Sequence, residues 1–442
     1  AVWDRIVEYM RYEDKVDDHM AGELSFSSEV QVSRWRRLAV RVRLPERQAD
    51  RITVPRLFAP LSCAERLLRR DLGLLRDEVW PENADVQWRL AALARGLCLK
   101  LPRPFRAPYV PGITVLIPHY GETILMSKGE LVGDMEDART VQLMSWLEHR
   151  YAGEFRAFTS RMMQAESGWQ GVGGNWQEYD EGQWDKISGW ASMRNQTLWR
   201  TVAGMTLYHT ALDCHQAVQG DQQCALGRAW DASHCFTCLL TMQQYAFFNA
   251  TQVAHTERLL EKFPPSLRIA FIDYEDKGPE GDLDNVHPAQ QRRFFSCAAD
   301  RGCETDAKGR RVPRFRIELP GFPILGDGKG DNQNHAIPFS RGQFIQCIDA
   351  NQGAYFEQML LLPCALGEFR RAAPAAGRRG QQGTDPDGTK RIVGFPEHIT
   401  SDIGSIGDFA ASAEFAFGTV LQRAHAALGG RMHYGHPDIM AK

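Results

Sequence analysis

Short apolar runs that end abruptly, with helical stretches between them, constrain this chain most. Ile113-Thr-Val-Leu-Ile117 is β-branched, continuous in its apolar character and stopped by Pro118, as a buried strand should be. Arg268-Ile-Ala-Phe-Ile-Asp273 reads the same way and closes on an acid, and Arg314–Leu319 and Gln343–Ile348 are further strand candidates. Between them, Trp190–Cys214 reads as one longer helix. Strand and helix in alternation predict an α/β layer architecture.

The first hundred residues carry a different pattern. In Ser62–Glu78, Leu67, Leu68, Leu72 and Leu75 recur at helical spacing; Arg34–Val42 and Gln87–Leu99 share that character. Pro102, Pro104, Pro108 and Pro111 then end it. We therefore expect an N-terminal helical region over 1–105 and a second region over 106–442. In the latter, Gly168–Gly189 reads as a loop with aromatic anchors, 277–313 as an inserted hairpin or flexible loop, and 372–390 as a flexible linker.

Composition closes off some functions. With 442 residues, 43% of them hydrophobic, the chain has material for a large core. A formal net charge of −3 gives no electrostatic footprint for nucleic acid. No run of 18 apolar residues suggests a bilayer span, and an N-terminal Ala1 suggests a piece of a longer protein. The ten cysteines are scattered, which suits a reducing compartment. His234, Cys235 and Cys238 raise a zinc reading, but they sit in an apolar run without a second ligand pair, so buried thiols are expected.

Chemistry-bearing residues concentrate between Leu319 and Tyr355. Gly326-Asp-Gly-Lys-Gly330 lets a lysine approach a phosphate closely, although such a turn is often simply solvated. It is not a P-loop, because Asp327 stands where Lys is required. A carboxylate just beyond an apolar strand can hold a metal on a diphosphate or orient a sugar. Asp282-Leu-Asp284 has D-x-D spacing but no strand before it; Asp273 follows one strand; Asp349 directly follows another and lies near Lys329 in sequence. Glu122 follows the first strand, where α/β enzymes place ligands and where helix caps are equally common.

Together these blocks resemble the β-1,3-glucan synthases, the callose synthase and fungal glucan synthase family (glycosyltransferase family 48). Ile117-Pro-His-Tyr-Gly-Glu122, Trp190–Thr201, Leu319–His335, Ile348-Asp-Ala-Asn-Gln352 with Tyr355, Gly394-Phe-Pro-Glu-His398, Phe417-Gly-Thr419 and His433–Asp438 occur in the family's order. The resemblance covers about residues 85 to 442. It implies a GT-A-like fold with a mixed central sheet, UDP-glucose as donor, inversion at the anomeric carbon and a β-1,3-glucan product. It also implies a catalytic region on the cytosolic face of a polytopic membrane protein, between transmembrane regions, with a Rho-type GTPase as activator in fungi.

Carried over by position, Lys329 and Asn332 are expected to contact the donor and its diphosphate. Asp349 takes the role of the strand-end aspartate and Glu122 that of the acid after the first strand. Arg194, Gln196 and Arg200 match a family block; Arg194 and Gln196 are expected to bind UDP-glucose, with a helix-face structural role equally open for the three. Whether Mg2+ or Mn2+ takes part is left open. There are departures: Gly353 replaces an acid, and Cys235 and Cys238 replace apolar strand residues. A further segment with an Asn-Glu-Asp or Ser-Glu-Asp run, a candidate place for the general base, is expected beyond Lys442. The alternative from another class is a non-catalytic UDP-sugar-binding or scaffold module of a synthase complex.

Overall fold

The computed structural model describes residues 2–24, 81–83, 86–87, 89–90, 110–133, 142–166, 168–169, 178–219, 231–276, 292–323, 325, 329–350 and 353–370. Contacts divide the chain into two compact units, Ala1–Ser25 with Arg106–Leu360, and Phe26–Phe105 with Leu361–Lys442. In the second unit the described residues include one short helix, Leu362–Ala365, and a 3-10 turn, Leu366–Arg370.

The first unit is built on a six-stranded mixed sheet. Its strands are β1 (Ile113–Pro118), β2 (Phe236–Thr241), β3 (Leu267–Asp276), β4 (Arg292–Ala299), β5 (Phe315–Glu318) and β6 (Phe344–Cys347), in the spatial order β5-β4-β3-β2-β1-β6. From β6 through β1 and β2 to β3 the neighbours are parallel; β4 and β5 are added antiparallel. Every residue of β1 and β2 is buried, as expected of strands covered on both faces. β5 is exposed along its whole length.

Ten helices accompany the sheet among the described residues of this unit. They are α1 (Val2–Tyr12), α2 (Asp18–Leu24), α3 (Lys128–Val132), α4 (Leu143–Arg150), α5 (Ala152–Ala165), α6 (Glu181–Ser192), α7 (Leu198–Gln219), α8 (Ala250–Lys262), α9 (Lys329–Asn334) and α10 (Phe356–Met359). α1 buries Trp3, Ile6, Val7 and Met10 at helical spacing. Reciprocal capping boxes open α3, α6 and α8, from Ser127/Glu130, Asp180/Gln183 and Asn249/Gln252. Much of the tryptophan content is core: Trp169, Trp184 and Trp190 pack with Phe155 and Phe158 in one cluster.

Some expectations change. Residues 181–189 belong to α6 and not to a loop, because Asp180 caps that helix and Trp184 and Ile187 are buried. The stretch Trp190–Cys214 is two helices, broken at Met193–Thr197. There Thr197 turns its hydroxyl back to Ser192 O, while Leu198 N and Trp199 N donate to Thr123 O and Ile124 O at 3.0 and 2.9 Å. A new helix starts because its orphan amides find partners outside it. β3 runs past Asp273 to Asp276, since Glu275 and Asp276 stand opposite Arg293 and Arg292 of β4. β4 itself lies inside the stretch read as an insertion, of which the hairpin alternative describes 292–299.

Arg34–Val42, Ser62–Glu78, the linker 372–390, Asp282, Asp284 and the blocks around Gly394, Phe417 and His433 lie outside the described residues. So does most of Gln87–Leu99.

Candidate functional site at the carboxyl ends of β1 and β6

From β1 the chain steps to β2 and β3 on one side, then returns to place β6 on the other. Because β1 and β6 are parallel, their carboxyl ends lie together at the point where the order of strands reverses. Open α/β sheets bind ligands in such a crevice. Two of the candidate acids leave from it: Glu122 on the loop after β1, and Asp349 two residues after β6.

The post-β1 loop is tightly made. Gly121 has φ +116°, a conformation that L side chains rarely adopt. The turn brings Glu122 back so that its Oε2 accepts from Tyr120 N at 2.7 Å. His119 is buried and its Nε2 lies 3.0 Å from Glu122 O. A carbonyl can only accept, so that nitrogen carries the proton. Burial holds the His119 pKa below its ordinary value, which keeps the ring neutral. Tyr120 is 42% exposed. Its phenol is pushed up to about 12 by loss of hydration and then by the negative charges of Asp349 and Glu122. Both acids therefore act on the same side chain.

α9 fastens this region. Asn332, 2% exposed, donates through Nδ2 to His119 O at 2.8 Å, and no described group donates to its Oδ1. Gln333 is also buried, and its Nε2 lies 3.1 Å from Leu116 O and 3.0 Å from Ile348 O. His335 Nδ1 lies 2.9 Å from Ser296 Oγ, whose hydroxyl donates to His335 O. Lys329 opens α9, four residues before Gln333; its side chain lies outside the described residues.

The Trp190–Thr201 block serves the same two loops. Besides the Leu198 and Trp199 amides, Ser192 Oγ accepts from Met126 N at 2.9 Å, and Thr201 Oγ1 donates to Ala350 O. α7 comes so near the chain after Asp349 that a Cβ on Gly204 would lie 2.5 Å from Ala354 N.

The remaining candidates divide. Arg194 is 5% exposed and its guanidinium is engaged: with Glu154 Oε2 at 2.7–2.8 Å, Trp190 O at 3.1 Å and Glu13 O at 2.9 Å, over the Trp190 ring. Those partners match the structural role left open for it. Gln196 is exposed on the turn between α6 and α7. Asp273 lies within β3, 3.9 Å from Arg316. Cys238 is a buried β2 residue whose burial pushes its thiol far up, and Cys235 is buried beside it. Sequence reading passed over Gln333, Tyr120 and Thr201. Only the placement of all three inside recognised blocks signalled them.

The strand-end acids, α9 and the α7 start thus bring four separate sequence blocks to one crevice. The family model described as 1,3-beta-glucan synthase component matches residues 79–172 and 172–442. The chain belongs to the 1,3-beta-glucan synthase family. It is 34% identical over 400 residues to the 1,3-beta-glucan synthase component FKS1 of Aspergillus niger, covering 83% of this chain and 21% of that protein. It is 34% identical over 406 residues to the component bgs2 of Schizosaccharomyces pombe, covering 82% and 21%. With callose synthase 9 of Arabidopsis thaliana it shares 32% identity over 374 residues, covering 81% and 18%. The chain therefore spans about a fifth of the length of these relatives. All the candidate site residues fall inside the range matched by the glucan synthase family.

Proposed function

We propose that this chain is the catalytic region of a membrane-bound β-1,3-glucan synthase that transfers glucose from UDP-glucose with inversion on a GT-A-like fold. One observation carries the reading. At the switch point between β1 and β6, the helix that opens on Lys329 is bonded to the loop bearing Glu122 and to the peptide preceding Asp349. Membership of the synthase family supplies the chemistry to be matched to that crevice.

In the proposed reaction the acceptor's 3-hydroxyl attacks the anomeric carbon from the face opposite UDP. The bond to the β-phosphate oxygen breaks, and UDP leaves with the electron pair. Negative charge grows on that oxygen, where the Lys329 ammonium stabilises it. Removing one such donor typically costs about 10²–10³ in rate. A carboxylate takes the acceptor's proton, a contribution of roughly 10²–10⁴. Asp349, exposed at the strand end, can do this only when it is not holding a metal.

Asn332 is assigned to the donor with one refinement. One of its two amide hydrogens is committed to His119 O, and Oδ1, to which no described group donates, is the acceptor it offers a ligand. An acceptor oxygen suits a sugar hydroxyl or a base N–H. Lys329 is assigned the diphosphate.

Among the described residues no three His, Cys, Asp or Glu side chains form a ready metal cage. Mg2+ is usually held by one or two carboxylates together with substrate phosphates, and Asp349 fits that pattern. Such an ion supplies charge neutralisation on the leaving diphosphate. No helix among the described residues is long and apolar enough to cross a membrane. We place this region on the cytosolic face, beside membrane-spanning parts of the parent protein.

Expression of the parent protein with UDP-glucose, followed by digestion of the polymer with a β-1,3-specific glucanase, tests donor and linkage together. Complete digestion is expected; a resistant polymer, or none from UDP-glucose, overturns the proposal.

A further inference from the structure

β1 and β6 pair only as far as Leu116 and Cys347. One more backbone bond, Ile348 N to Leu116 O, is stretched to 3.3 Å, and then the chains part. At this fork sits the side chain of Gln333, 4% exposed. Its Nε2 donates to Leu116 O on one branch and to Ile348 O on the other. A primary amide has two hydrogens, and each here has its own carbonyl. The side chain thus does what a backbone amide does further down the ladder, and Asp349 is the next residue along the chain.

We propose that Gln333 is a positioning residue: it clasps the peptide that bears Asp349 to β1 and so fixes where that carboxylate stands. The proposal rests on the donor-site reading above. Few other side chains can meet the geometry. Asparagine is one methylene short of the same reach. A glutamate carboxylate would turn acceptor oxygens toward two carbonyl oxygens. A methionine keeps the volume and loses both donors. Groups that orient a functional ligand from behind are commonly worth 10–100-fold, here about the same, since a misplacement of roughly 1 Å can cost 10²-fold.

The test uses the full-length synthase with Gln333→Met and Gln333→Glu. Titration with UDP counts intact donor sites, and turnover of UDP-glucose is expressed per site. Gln333→Met is expected to keep its sites and to lose about 10–100-fold in turnover per site. Gln333→Glu is expected to be as impaired at pH 8 and to recover toward pH 6, relative to wild type at each pH, because a protonated carboxyl regains one donor.

Fewer sites with normal turnover per site would mean that Gln333 only supports the fold, and would overturn the proposal. Wild-type behaviour of both variants would overturn it too. If Gln333→Met assembles no sites, Gln333→Glu decides. Acid recovery of turnover per site supports the role. Recovery of site number at wild-type turnover per site refutes it. A wild-type enzyme that binds no UDP removes the donor site itself, and with it the role of Gln333; loss of the clasp effect in an enzyme that does bind UDP removes only the latter.

Discussion

The Thr201 hydroxyl donates to the carbonyl oxygen of Ala350, so the first turn of α7 is bonded to the residue that follows Asp349. The same turn holds the post-β1 loop through the Leu198 and Trp199 amides. Thr201→Val keeps shape and removes the donor. We expect a loss of about 1 kcal/mol in unfolding free energy, together with reduced turnover of UDP-glucose. Denaturant unfolding and initial rates measure the two. A variant with unchanged stability would show that the bond contributes nothing.

Arg194 separates structural from donor-binding roles. It is buried against Glu154, which Lys15 also reaches at 2.9 Å. Removing one partner of a buried pair costs roughly 3–5 kcal/mol, so Arg194→Met should lower the melting temperature sharply. UDP affinity per folded molecule should stay as in wild type. A normal melt with lost UDP binding would return Arg194 to the donor site.

His335 makes the fold acid-sensitive. Burial lowers its pKa to about 4 from an ordinary 6.5. Between those values the unfolded chain binds the proton and the folded one does not. Stability from this group is therefore complete above about pH 6.5 and falls as the pH drops toward 4. A displacement of that size corresponds to about 3 kcal/mol. Unfolding of wild type and His335→Leu at pH 7 and pH 4.5 should show a smaller acid loss in the variant. Equal losses would show that His335 is not the group involved.

What could be read in advance follows the range of the forces involved. β1 and β3 are apolar runs with local stops, β5 and β6 are short segments in which Phe and Ile recur, and each was legible. β2 was flagged only through the resemblance, as an apolar run with Cys235 and Cys238 in place of apolar strand residues; Phe236–Thr241 is as buried as β1 but has no proline or acid directly after it. β4 was hidden because Arg292 and Arg293 make its start look like polar loop, and their partners Asp276 and Glu318 come from other strands. The strand-end acids were legible because an acid after an apolar run is a local signal. The clasp was not: Gln333 reaches a carbonyl 217 residues away, and Thr201 one 149 residues away. Side chains that bond to backbone carry no mark of their partner in the sequence.

Lys329, Glu122 and Asp349 are proposed to act on one nucleotide-sugar, and Lys329→Ala in the full-length enzyme probes that most directly. Turnover of UDP-glucose should fall by about 10²–10³ while the melting temperature holds. A folded variant that still turns over UDP-glucose at a near-normal rate would contradict it.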